Sequence, residues 1–156
     1  MPNPVNLEEL EWQEWRHSDR IRLRFKTFEK EAFEDEDSAA HMGVCVQELP
    51  PGCCTDPAHY HMKEEEHIFV LKGAMDVRLG DETFHLTPGH YVRFAAADPR
   101  EHCLTNNTGE PCEYLLWGER NPDDVIVYPD SNKVSVRALS EIYRRQPLDY
   151  WDGEKQ

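Results

Sequence analysis

The residues best equipped for chemistry lie in one short stretch, His59-Tyr60-His61-Met62-Lys63-Glu64-Glu65-Glu66. Successive side chains of a β-strand point to opposite faces, so His59 and His61 project to the same side. A carboxylate follows at Glu66, and the apolar run Ile68-Phe69-Val70-Leu71 ends at Gly73. A further histidine, His102, stands in a later strand-like stretch. Three imidazoles and one carboxylate suffice to hold a borderline divalent metal. That donor set suits Fe, Mn, Ni, Co, Cu or Zn better than Ca or Mg.

Other polar residues have plainer readings. An isolated His-x-His is usually two surface histidines, and the case here rests on four ligand types together. His67 follows Glu66 directly, so alternation turns it to the opposite face, towards a core edge or an interface. His85 and His90 sit beside turns and are expected to be solvated. Glu64 and Glu65 read as a charged loop, close enough for either to approach the site. Cys53 and Cys54 read as small buried residues, and Cys103 points away from the side that His102 faces. Neither a Ser-His-Asp pattern nor a phosphate-cradling glycine loop stands out.

The surrounding elements are short. Residues 7–16 space apolar positions by three to five, which predicts a short amphipathic helix with acids at its start. Ile21–Phe28 alternates apolar with basic or polar residues and predicts a half-buried strand. Phe33–Ser38 is an acidic loop. Met42–Leu49 reads as a strand ended by Pro50-Pro51-Gly52. Further strands are expected at 67–71, 75–79, 83–86, 91–94, 102–105 and 113–117, separated by Gly, Pro and Asn turns. Many short strands at regular spacing argue for a sandwich or barrel. After Gly118 come an extended segment, Asp123–Ser131, and a helical turn over Ala138–Arg145 with Ser140 as a cap. Tyr150 and Trp151 in the tail are expected to pack back on the barrel or on a partner subunit.

With 17 Lys and Arg against 31 Asp and Glu, the net charge is −14, which repels nucleic acid and anionic membranes. The N-terminus lacks a basic start followed by an apolar core, so no signal peptide is expected, nor does any apolar run reach the length of a membrane span. The five cysteines are odd in number and irregularly spaced, which points to reduced thiols and a cytoplasmic location. A chain of 156 residues suits one domain.

Residues 52–106 resemble the cupin superfamily. The first motif of that family maps to Gly52, His59, His61, Glu66 and Gly73, and the second to Gly89, His102 and Asn106. Glu66 is preferred to Glu65 because six residues separate it from Gly73, as the motif requires. The gap from Gly52 to His59 is one residue longer than usual. Ala95 and Ala97 stand where the second motif commonly has proline and glycine. Asn106 is expected to fix a turn. The resemblance implies an all-β fold: an antiparallel double-stranded β-helix (cupin or jelly-roll) barrel with short helical N-terminal and C-terminal extensions. It implies a single cupin domain over residues 1–156, with a barrel core at about 40–118 and a C-terminal extension at 119–156. His59, His61, Glu66 and His102 would be the ligands of an octahedral divalent transition metal with positions left open. Such an ion polarises a carbonyl or activates water. The expected function is a metal-dependent oxygenase or isomerase acting on a small polar molecule. The alternative is a non-catalytic small-ligand binding or sensing protein on the same barrel. No motif assigns catalytic residues. A homodimer is expected, two-fold pairs being the commonest oligomers.

Overall fold

The computed structural model describes residues 4–28 and 41–155. The acidic loop Phe33–Ser38 lies outside the described residues. The chain opens with a single 3-10 turn, Leu7–Glu9, whose Glu8 amide donates to the Asn6 side chain. The helix expected over residues 7–16 ends there. The chain instead extends into β1 (Gln13–Arg16), which pairs antiparallel with β2 (Arg22–Thr27). An isolated ten-residue helix is marginal in water, whereas the β2 edge offers a ladder of hydrogen bonds. The indole of Trp12 also packs beneath the Arg24 guanidinium and the Lys26 ammonium, at 4.8 and 5.1 Å from the ring centroid.

The remaining strands are β3 (Met42–Leu49), β4 (Tyr60–His61), β5 (Glu66–Lys72), β6 (Met75–Leu79), β7 (Glu82–Leu86), β8 (Tyr91–Phe94), β9 (His102–Thr105) and β10 (Cys112–Glu119). They are followed by β11 (Val125–Tyr128), β12 (Lys133–Val136) and β13 (Glu141–Arg144). Among the described residues three antiparallel sheets result. One runs β1-β2-β3-β10-β5-β8, a second β7-β6-β9, and a third β13-β12-β11-β4. The fold is all-β, as expected, but the sheets do not close into a continuous hydrogen-bonded barrel. One apolar core joins the first two sheets. Leu23, Phe25, Ile68, Val70 and Tyr114 from one meet Met75, Val77, Leu86 and Leu104 from the other. Alternation produces this: in β5, Ile68 and Val70 are buried while Phe69 is only half-buried.

The C-terminal expectation is also corrected. Arg137–Leu139 is a 3-10 turn, and Ser140 ends it in the left-handed conformation at φ 51° instead of opening a helix. The chain then adds β13 to the free edge of β12. Tyr150 and Trp151 do not pack back on the core; they remain 85% and 71% exposed. No described helix is long and apolar enough to cross a membrane.

Two backbone positions carry distinct costs. Gly73 turns β5 into β6 at φ 75°, where an added Cβ would collide with the carbonyl oxygen of Pro111. Ala97 sits at φ 60° and donates its amide to the His61 carbonyl at 2.8 Å. It adopts there a conformation that glycine reaches without Cβ strain, at a cost of roughly 1–2 kcal/mol. Urea unfolding of the metal-free protein should therefore show Gly73→Ala destabilised by at least about 2 kcal/mol and Ala97→Gly stabilised by up to about 1 kcal/mol. A destabilised Ala97→Gly variant would contradict the strain argument.

Candidate metal centre

Three separate parts of the chain bring the imidazoles and the carboxylate together. His59 lies in the segment before β4 and pairs with His102 in β9. The His59 amide donates to the His102 carbonyl at 3.1 Å, and the His102 amide returns the bond at 2.8 Å. Directly opposed antiparallel residues place their side chains on one face, a few ångströms apart. The two rings stand 4.6 Å apart, centroid to centroid. His61, two residues on, has its ring 5.1 Å from that of His59. Glu66 opens β5 and reaches into the same space: its Oε2 is 3.2 Å from His102 Nε2 and 3.5 Å from His61 Nε2. Donor atoms of His59, His61 and Glu66 all lie within 4.8 Å of one another.

Partners on the far side of two rings fix which nitrogen faces inward. His59 Nδ1 lies 2.9 Å from the Pro57 carbonyl. A carbonyl only accepts, so Nδ1 carries the proton and Nε2 keeps its lone pair. His61 Nδ1 lies 2.6 Å from Asp124 Oδ2. The ring of Phe94 stacks on His102 at 3.9 Å. A small open pocket adjoins the cluster, lined by Tyr60, His61, Leu79, Phe94, Arg100 and His102 among others.

Electrostatics divide the group. Burial pushes the His59 imidazole down to about 4, and the nearby His102 adds to the shift. Burial also pushes His61 down, but the Asp124 hydrogen bond and the charges of Glu66, Asp124 and Glu64 outweigh it, so its net shift is upward. For Glu66, burial alone would raise the carboxyl. The His102 bond and the three imidazoles reverse this and hold it at about 2. Asp56 goes the other way: burial and the Glu66 charge push it up to about 6.

The other candidates separate clearly. His67 stacks on Trp117 at 5.1 Å and 7°, with Tyr91 beside both, on the opposite face of the six-stranded sheet. His85 is exposed and bonds Asp76 at 2.8 Å, and His90 bonds within its own turn to Thr87. Asn106 is fully buried; its Nδ2 donates to the Leu49 and Glu110 carbonyls, which fixes the turn. The five cysteines are unpaired; Cys53 is buried, Cys54 half-buried, and the Cys103 thiol donates to the Asp56 carbonyl. Glu65 is a surface residue held by Arg93 and His67. Glu64 is not the charged loop residue expected. It is buried, accepts from the Asn121 amide at 2.5 Å, and is gripped by the Arg137 guanidinium.

Asp124 and Arg137 were invisible as site residues in the sequence. Each meets its partner across more than 60 positions of chain, since Asp124 is 63 residues from His61 and Arg137 is 73 from Glu64. The one available signal was an acidic pair, Asp123-Asp124, set directly before the apolar strand Val125-Ile126-Val127.

Residues 45–118 match the family model described as the cupin domain. Those residues form a cupin domain. Its structure is similar to that of a protein assigned as a sugar phosphate isomerase from Acidithiobacillus ferrooxidans. That protein is 28% identical, with 68% of this chain and 67% of that chain covered and a TM-score of 0.63. A cupin-superfamily sugar phosphate isomerase from Silicibacter pomeroyi aligns over 95% of this chain and 98% of its own, at 22% identity and a TM-score of 0.75. A predicted oxalate decarboxylase from Thermotoga maritima aligns over 76% of this chain and 100% of its own length, at 17% identity and a TM-score of 0.60. No curated protein matches the chain in sequence.

The buried imidazole His59 sets a pH dependence for the metal-free fold. Between the ordinary value of 6.5 and about 4, the unfolded chain takes up a proton that folded His59 refuses. Stability therefore falls as the pH drops through that window. His61 has the opposite sign: its contribution is present at low pH and lost as pH rises through its raised value. Urea titrations stepped across the window should give a flatter acid limb in His59→Gln, by on the order of 2 kcal/mol. An unaltered limb would show that His59 is not held neutral.

Proposed function

We propose that His59, His61, Glu66 and His102 hold one divalent transition metal, and that the protein uses it to isomerise a small polar hydroxycarbonyl compound. The observation that carries this reading is the convergence of three imidazoles and one carboxylate oxygen at one end of the fold, beside a small open pocket. The donor set of neutral nitrogens and one carboxylate fits Fe, Mn, Ni, Co, Cu or Zn. Likeness at 28% identity to a protein assigned as a sugar phosphate isomerase favours isomerisation over oxygenation.

Bound at this set, the metal would supply Lewis acidity, polarising a carbonyl or hydroxyl of the substrate. The chain's own residues do the rest. Leu79 and Phe94 give the pocket an apolar wall, while Tyr60 and Arg100 give it polar contacts that orient a ligand. Asp56, pushed up to about 6 by burial and the Glu66 charge, adds to the field around the cluster together with His102 and His61. The same reading takes the whole chain as one cytoplasmic domain working as a homodimer, with exposed Ile142, Tyr150 and Trp151 available as contacts.

Elemental analysis of protein purified without a polyhistidine tag tests the ligand set. Native protein should carry close to one metal per chain, and His61→Ala should lose most of it. His85→Ala and His90→Ala should keep theirs, because both rings are occupied elsewhere on the surface. Coordination needs neutral imidazole, so occupancy should also fall as the pH drops below the histidine range. Loss of metal from His85→Ala but not from His61→Ala would overturn the assignment. A native protein that takes up metal yet exchanges no substrate hydrogen with deuterated water, across a panel of aldoses and ketoses with and without phosphate, would favour the binding or sensing reading. Light scattering at micromolar concentration should show a dimer, and a monomer would remove that part of the proposal.

A further inference from the structure

We infer that Asp124 is a positioning residue that fixes the tautomer of His61, so that Nε2 is presented to the centre. The inference rests on the metal reading above for its purpose, though not for its geometry. Asp124 is fully buried, and both of its oxygens are committed. Oδ1 accepts the Lys63 amide at 2.8 Å, and Oδ2 faces His61 Nδ1 at 2.6 Å. A carboxylate has no proton to give, so Nδ1 must be the donor. Nε2 faces a second carboxylate oxygen, Glu66 Oε2, but only at 3.5 Å, so the single proton of the neutral ring stays on Nδ1 and the lone pair is left on Nε2.

The backbone that carries Asp124 is itself held from several sides. The Asp124 amide donates to Asn121 O at 3.0 Å, and the Arg137 amide donates to Asp124 O at 3.0 Å. The Met62 amide donates to Val125 O at 3.0 Å, and β11 pairs with β4 through Ile126 and His61. Glu64 does not compete for the ring. Its carboxylate is 3.4 Å from Nδ1 but is taken by Arg137 and by the Asn121 amide. Asn121, Asp124 and Arg137 all lie beyond residues 45–118, where the family match ends. The segment after the cupin domain therefore supplies the groups that orient one of its histidines.

An asparagine at this position gives a sharp test. The Lys63 amide can only donate, so it captures the amide oxygen of the new side chain. The NH2 group is then turned to His61 Nδ1 and makes that nitrogen an acceptor. The proton moves to Nε2 and blocks it as a ligand. A carboxylate that fixes an imidazole tautomer behaves in this way in other catalytic settings.

Long-range 15N–1H NMR of histidine-labelled, metal-free protein, recorded about two pH units above the imidazole range, reads the tautomer directly. Wild-type His61 should carry its proton on Nδ1, and Asp124→Asn should carry it on Nε2. Titration with Co2+, followed by visible absorption, should show affinity reduced roughly 10–100-fold in Asp124→Asn. A thermal melt alongside establishes that the variant is folded. An Nε2 proton in the wild type overturns the inference even if the variant fails to fold. So does a folded Asp124→Asn that keeps the wild-type tautomer, or one that keeps the wild-type Co2+ affinity. Failure of the wild type to bind Co2+, with the tautomer reversing as described, would overturn the metal reading and uphold the role of Asp124.

Discussion

The reciprocal pair of backbone hydrogen bonds between His59 and His102 is the constraint on which the site depends. It joins a segment with almost no regular structure of its own to β9, and β9 is pinned in turn by β6. Closing a loop of this length costs several kcal/mol of chain entropy, growing only slowly with length. The two amide bonds do not repay that alone. The core beneath them does, because Met75 and Val77 in β6 and Leu104 in β9 are buried in one apolar cluster with Ile68 and Val70 in β5. Once that cluster forms, Glu66 and His102 are fixed at the first residues of β5 and β9, strands of the two packed sheets. The pairing then has only to carry His59 across, and His61 follows by alternation.

Burying charge imposes the second requirement. Glu66, Glu64 and Asp124 crowd the same region of an already acidic chain, and a buried carboxylate needs a partner. The molecule meets this with a different arrangement for each of the three. Glu66 is surrounded by imidazoles, whose attraction reverses the effect of its burial. Glu64 is paired with Arg137, and Asp124 with His61 and the Lys63 amide. The separation matters chemically. A centre in which Glu64 and Glu66 both faced the imidazoles would hold an excess negative charge. With Arg137 drawing Glu64 aside, the inner set keeps a single carboxylate.

Much of this arrangement could be read from the sequence, and the failures have a common cause. The spacing His59-x-His61, the later His102 and the alternation through Ile68–Leu71 depend on period-two geometry, which is local. Residues 7–16 misled because apolar spacings of three to five suit a helix, yet the chain there found a strand edge and a cation-flanked Trp12. Ala138–Arg145 misled in the same way beside the open edge of β12. Sheet closure and the burial of Glu64 were illegible for a stronger reason. Both depend on partners many positions away, and nothing near Glu64 distinguishes it from Glu65. Adjacent residues of identical type end up with opposite fates, one clamped by Arg137 inside and one held by Arg93 outside.

That contrast indicates where specificity in such a fold is encoded. The inward-facing donors arise from a pattern short enough to fit in one loop and two strand ends, and such a pattern can recur on any chain able to form the two packed sheets. The groups that set how those donors behave come from elsewhere. Pro57 orients His59, Asp124 orients His61, and Phe94 stacks against His102. Each imidazole thus has a different kind of neighbour: a neutral carbonyl, a buried carboxylate and an aromatic face. A carboxylate partner makes an imidazole a stronger donor than a carbonyl does. Three chemically identical imidazoles therefore become inequivalent, each with its own electronic surroundings.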